Sequence, residues 1–311
     1  RKLPVEGLAV FLPQGMERAT CLRMRFLDGA SASFLAFVYS PEGYAQRLDL
    51  QDYGNLDTKL ETYRTGAGRS STVQGWVERL CRLPHVERIA GADGSTVLRV
   101  RGVPFARASG ESLLYGIDRM RQAHGHNLPE IEMLAAGLAR LRAPGALDRE
   151  NPLYRQRPEC WLESQVRAHL EEIDASLLSE PVYGQVPAFA GGDRSVLDLL
   201  TVDRAGRLAV IELKASEDVH LPLQALDYWM RVKWHLDQGE FSSKGYFRGI
   251  ELSPEPPRLL LVAPSLDFHP TTEAILRYFS QEVPVERIGL AVEWRKRVEL
   301  MFRIGGAERP A

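Results

Sequence analysis

Cysteine is scarce in this 311-residue chain: Cys21, Cys81 and Cys160 are odd in number and far apart. That excludes a disulfide framework and points to reduced thiols in an intracellular, cytoplasmic protein. Long apolar runs are missing too. None approaches the roughly 20 residues of a membrane helix, and the opening from Arg1 carries no charged-then-apolar signal segment. Neither sign of charge dominates. The 39 Lys and Arg side chains face 41 Asp and Glu, a formal net charge of −2, so any nucleic-acid reading must rest on a local site rather than a global basic field. With 44% hydrophobic and 8% aromatic residues, the chain can bury one large or two ordinary cores.

The first half reads as an α+β unit. Short strands are expected at 8–13, 20–26 and 33–40 between Gly- and Pro-containing turns, followed by a polar, poorly periodic stretch from 41 to 70. Within it, Gly66-Ala-Gly68-Arg69-Ser70 echoes a phosphate-cradling loop, but no strand leads in and no Gly-Lys-Ser/Thr follows, so that function is excluded. Residues 71–83 carry Val73, Trp76, Val77 and Leu80 on one helical stripe. Strands at 85–90 and 95–103 flank Gly91-Ala-Asp-Gly94 as a hairpin. Arg107, Arg119, Arg121, His124 and His126 tint 104–126 basic, and a lone His-x-His in such a loop is ordinarily plain surface. A helix over 128–142 closes at Pro144-Gly145. Arg142 to Pro158 then reads as a linker, which puts a domain boundary near 150. Nucleic-acid binding and dimerisation both suit residues 1–150, and no motif chooses between them.

Beyond the linker, 159–177 is an amphipathic helix with Leu162, Val166, Leu170 and Ile173 on its stripe. Glu163 borders that stripe, and Glu159, one turn earlier, is its rival for an inward role. A strand at 182–189 and the turn Gly191-Gly192-Asp193 lead into a central hairpin. Asp218 to Gln238 is a helix with Pro222 in its first turn. Gln224, Tyr228, Arg231 and His235 share one polar face of it, Trp229 and Trp234 flank that face as core residues, and His220 precedes it near the surface. A strand at 258–263, a helix at 271–283 and strands near 286–294 and 298–304 complete this half. Arg295-Lys296-Arg297 reads as a solvated face.

The central hairpin, Val196–Lys214, holds charges where buried strands should have none: Asp198, Glu212 and Lys214. An unpaired buried charge is costly, so such residues mark a partner, a metal or another charge. The turn Arg204-Ala205-Gly206 puts Gly at the left-handed position of a three-residue loop. Asp198 then lies opposite Glu212, with Cβ atoms roughly 5 Å apart. Alternation places Lys214 on the face of Glu212, away from Ile211 and Leu213. Two carboxylates this close need a cation or a shared proton between them. A hard divalent ion, most simply Mg²⁺ with Mn²⁺ as its substitute, meets that need.

The order helix, three strands, helix, strand, with Glu163, Asp198 and Glu212-Leu-Lys214 in place, resembles the PD-(D/E)xK nuclease superfamily over roughly residues 159–264. Leu197 stands where the family's Pro precedes Asp, a departure that touches no metal ligand. Gln224-Ala-Leu-Asp-Tyr228 is similar to the Gln-x-x-x-Tyr motif of RecB-type members. The resemblance implies a restriction-endonuclease-like core, a mixed sheet flanked by helices in an α/β protein, preceded by a separate α+β domain. It implies Mg²⁺ held by Asp198, Glu212 and the Leu213 carbonyl, with Glu163 adding a ligand directly, through water, or to a second ion. Lys214 would orient the attacking water or offset transition-state charge, and Gln224 and Tyr228 would help position a phosphate or water. The implied reaction is hydrolysis of nucleic-acid phosphodiesters, with DNA the expected partner, no membrane, and room for a homodimer.

Three rivals stand beside this reading. A buried Lys–carboxylate network in an ordinary hairpin would leave the second carboxylate uncompensated. A non-cleaving nucleic-acid-binding or assembly protein on the same fold would have little reason to keep all three charges. An unrelated metal enzyme such as a phosphatase would need further His or Asp ligands near the hairpin, and no clear set is present.

Overall fold

The computed structural model describes residues 6–15, 17–28, 33–50, 58–64, 70–91, 93–190 and 193–306. The loop at Gly66–Arg69 and the turn at Gly191-Gly192 lie outside them. The protein is mixed α/β, and among the described residues its strands form three sheets.

The first sheet holds β1 (Gly7–Pro13), β2 (Ser33–Tyr39) and β3 (Ala45–Leu48). Strands β1 and β2 pair in parallel, and a parallel pair needs a crossover. Helix α1 (Glu17–Met24) supplies it, where a strand was expected at 20–26. Buried Cys21 and Met24, three residues apart, pack with Val10, Leu12 and Phe34 of β1 and β2 while Leu22 turns to the α7 core, a helical spacing and not the alternate positions of a strand. After β4 (Lys59–Leu60) comes α2 (Ser71–Cys81), with Val73, Val77 and Leu80 buried as the stripe requires and Ser70 capping its start. A five-stranded antiparallel sheet follows: β5 (Val86–Ala90), β6 (Thr96–Val100), β7 (Val103–Ser109), β8 (Ser112–Tyr115) and β9 (Arg121–Gln122). Helix α3 (Leu128–Leu141) packs its Ile131, Ala135 and Leu138 into the same cluster as α2 and this sheet.

The third sheet positions the site. After α4 (Pro152–Arg155), α5 (Pro158–Ala168) and α6 (Leu170–Ile173) come β10 (Tyr183–Ala190), β11 (Asp193–Val202) and β12 (Leu208–Leu213). Helices α7 (Leu221–Asp237) and α8 (Glu240–Ser243), β13 (Arg258–Pro264), α9 (Thr272–Leu276), β14 (Val285–Leu290) and β15 (Leu300–Gly305) complete the chain. Strand order is β15-β14-β13-β12-β11-β10-β4, with β12, β13 and β14 parallel and the other neighbours antiparallel. Alternation sorts the core between its two faces. Leu208, Val210, Leu259 and Leu261 pack with α7, whereas Ala209, Ile211, Leu213, Leu260 and Val262 pack with Trp161, Leu162 and Val166 of α5.

The helix expected over 159–177 breaks at His169 into α5 and α6, keeping Leu162, Val166, Leu170 and Ile173 buried. The helix expected over 271–283 shrinks to α9, because Phe279 leaves it to bridge Leu27. The α7 face read as polar is buried at Tyr228, Arg231 and His235. His235 meets Glu240 and Thr58 through its two ring nitrogens, at 2.5 and 3.0 Å. Arg295 is not simply solvated: its guanidinium lies 4.3 Å over the Trp294 ring and 5.5 Å over Trp161.

Contacts cross between the two halves. Strand β4 closes one edge of the third sheet, Leu22 and Leu60 belong to the α7 core, and Arg23 grips Asp227 of α7 through two nitrogens. The N-terminal half completes the C-terminal sheet. No helix among the described residues is long and apolar enough to cross a membrane.

Candidate metal centre

The site is built on the β11–β12 turn. Gly206 has φ +83°, and a Cβ there would meet the Glu251 carbonyl oxygen at 2.2 Å, so only glycine serves. Asp203 accepts from the amides of Ala205 and Arg207, both at 2.9 Å, and so clamps the loop. The register follows: Val202 faces Leu208, Thr201 Ala209, Leu200 Val210 and Leu199 Ile211. One step further lie Asp198 and Glu212. The ladder stops there, and the Asp198 carboxylate replaces the lost backbone partner, its Oδ2 accepting from the Leu213 amide at 2.9 Å. Asp198, Glu212 and Lys214 gather at the C-terminal end of β12, where Lys214 reaches Glu159 at the start of α5.

Glu212 is 2% exposed, and its Oε2 is buried with no hydrogen-bond partner. Lys214 is buried beside it, with Nζ 3.9 Å from Glu212 Oε1, 3.6 Å from Asp218 Oδ2 and 3.8 Å from Glu159 Oε1. These are ion pairs too long to be hydrogen bonds. Burial, then the charge of Asp198, pushes the Glu212 carboxyl well above the usual range against the pull of Lys214. Burial pushes Asp198 up to about 7, opposed by the Leu213 amide and helped by the charge of Glu163. Four carboxylates around one ammonium leave the cluster short of positive charge.

Among the described residues no group of three or more His, Cys, Asp and Glu side chains stands close enough to hold a metal ion. Mg²⁺ does not require such a cage, since it keeps several waters and is held through one or two carboxylates. The orphaned Oε2 of Glu212, the Asp198 carboxylate and the Leu213 carbonyl are hard oxygen donors of that kind. By that test the residues fit a hard divalent cation.

No protein-family model matches the chain, and no curated protein is significantly similar to it. The residues themselves therefore carry the functional reading.

The structure places the remaining expected residues unequally. Glu163, expected as a further ligand, has both oxygens occupied: Arg99 donates to Oε2 at 2.6 Å and to Oε1 at 3.0 Å, and Arg167 donates to Oε1 at 3.0 Å. These guanidiniums outweigh burial and hold its carboxyl below the usual range. It is a buried anchor joining α5 to β6. Its rival Glu159 reaches the Lys214 cluster instead. Gln224 is half-buried with its Oε1 unpartnered, while Tyr228 is buried with the Arg231 guanidinium 6.0 Å from its ring centre. His220 is exposed at the start of α7. His124 and His126 stack on each other at 5.5 Å in a short turn.

Sequence reasoning missed Glu87, Arg99, Arg167 and Asp218. Glu87 and Arg99 face each other across β5 and β6, a pairing the hairpin register could have shown. Asp218 lies four residues beyond Lys214. No local pattern reveals that Arg99 reaches across to Glu163.

Proposed function

We propose that the protein is a metal-dependent nuclease of the PD-(D/E)xK type, hydrolysing phosphodiester bonds of nucleic acid, DNA in the first instance. The observation that carries this reading is the unpartnered, buried Glu212 Oε2 beside Asp198, with the Lys214 ammonium within 4 Å of the same carboxylate. Neutral-pH burial of two acids is tolerable only with a proton or a cation between them. The strand order around β11 to β13, with α5 and α7 on opposite faces, agrees with a restriction-endonuclease-like core.

A divalent ion at this place would supply Lewis acidity and make water a better nucleophile. The chain's own groups divide the rest. Asp198 and Glu212 offer oxygens, and the Leu213 amide fixes the direction of the Asp198 carboxylate. Lys214, held among acids and free of a short hydrogen bond, can donate to a water or a phosphate oxygen and offset charge as it develops. Glu159 and Asp218 keep that ammonium aimed. Gln224, from α7, can turn its amide to the same substrate.

The test is cleavage of labelled DNA in Mg²⁺ by wild type, Asp198→Asn, Glu212→Gln and Lys214→Ala. Each substitution is expected to lower the rate by roughly a hundredfold or more. Full activity of the Lys214 variant would remove that residue from the reaction. DNA binding insensitive to EDTA, with no cleavage by wild type, would favour the non-cleaving reading.

A further inference from the structure

Beside the acid cluster lies a cavity of about 290 Å³ that the reaction above does not use. Its wall is the five-stranded sheet, through Ile89, Val97 and Ala106, with Ile117 from the β8–β9 connection, and its opposite side is the start of α5 with Gly184 of β10. Close approach makes the junction: a Cβ on Gly102 would lie 2.3 Å from the Cys160 backbone, and one on Gly184 would lie 2.3 Å from Arg167. Cys160 ties cavity to site, since it lines the cavity and directly follows Glu159, which reaches Lys214 at 3.8 Å. Gly184 pairs with Leu199, the residue after Asp198.

Three arginines line this cavity, but they are not equivalent. Arg99 spends its charge on Glu163 and Glu87. Arg107 is paired with Asp93 in an exposed bridge, which exchanges at little cost. Arg157 is exposed. It holds a left-handed backbone at φ +49° directly before Pro158, a conformation that costs a non-glycine residue energy and gathers at functional sites. The result is a largely apolar chamber, with the Arg99–Glu163 pair in its wall and cationic side chains at its mouth, next to a candidate phosphodiester-cleaving site. Its volume lies at the small end for ligand pockets, far too small for a duplex.

We infer that this cavity takes one unpaired nucleobase of the substrate strand, with Arg157 and Arg107 on its flanking phosphates, so that the protein acts on single-stranded or unpaired nucleic acid. The inference rests on the nuclease reading and deepens it by naming the substrate's form. Ile89, Val97 and Ala106, which would pack on one face of the base, belong to the N-terminal sheet, outside the stretch that resembles a nuclease.

The experiment is binding of a fluorescent oligothymidylate of about ten nucleotides, in EDTA, against a duplex of equal length and the same oligonucleotide with abasic sites. Wild type is expected to bind the single strand more tightly than the other two. Ile117→Trp, which fills the chamber, and Arg157→Ala, which touches only the exposed mouth, are each expected to weaken it roughly tenfold. The surface variant preserves the test if the filled one does not fold. Equal binding of abasic and normal strands, preference for duplex, or unchanged affinity in the folded variants would overturn the base pocket. Cleavage is scored separately: pocket-dependent binding without metal-dependent cleavage would overturn the nuclease reading, whereas cleavage without pocket dependence would overturn the inference alone.

Discussion

At the scale of single residues, Glu212 is the point of greatest tension: a nearly inaccessible carboxylate, one oxygen unpartnered, next to a second acid. Both groups bind a proton more tightly folded than unfolded, Asp198 with a value near 7. Their unfolded values are near 4, so the folded state holds more protons across that interval. Stability of the metal-free protein is therefore expected to fall as pH rises from about 4 through 7. Thermal unfolding in EDTA over that range measures it. Asp198→Asn should flatten the decline and, near pH 8, stabilise the metal-free protein by on the order of 2 kcal/mol. Added Mg²⁺ should stabilise wild type there and leave the variant nearly unmoved. These residues were legible early, because the turn at Gly206 sets a register that the Leu199–Ile211 pairing obeys. That the ladder would stop at Asp198, freeing its carboxylate for the Leu213 amide, was not legible, since fraying depends on neighbouring strands.

At the scale of elements, the Arg99–Glu163–Arg167 network bolts β6 to α5. Arg99→Leu leaves a buried carboxylate with half its partners, and a loss of about 3–5 kcal/mol is expected by urea unfolding. Arg79→Leu, which removes an exposed pair with Glu132, should cost under about 1 kcal/mol. Gly102→Ala should also destabilise the junction, since φ is +82° and Cys160 blocks the Cβ. Helices such as α2 and α3 were readable because their apolar stripes repeat over three or more turns. Helix α1 was not: its eight residues hold too few turns to separate a helical period from a strand's, and a tertiary demand, the crossover between β1 and β2, decided it. The surroundings of Glu163 were not legible for a related reason. Its border position on α5 shows that it points inward, but not that an arginine from a distant strand waits there.

At the scale of the whole molecule, a strand pairing and core contacts cross the boundary read near 150. A fragment starting at residue 151 would lose β4, Leu22 and Leu60 from the α7 core, and Arg99 from Glu163. Such a fragment is expected to be poorly folded, with collapsed amide dispersion by NMR, whereas the full chain unfolds cooperatively. Pro- and Arg-rich composition marked 142–158 as a linker, yet Arg142 there is fully buried and donates to the carbonyls of Arg101, Leu153 and Gln156. Composition cannot foresee such long-range use of one side chain. The most direct measurement is Mg²⁺-dependent hydrolysis of labelled single- and double-stranded DNA by wild type and Glu212→Gln side by side. A metal centre at this hairpin predicts cleavage that EDTA abolishes and that the variant loses. Equal cleavage by both proteins would contradict it.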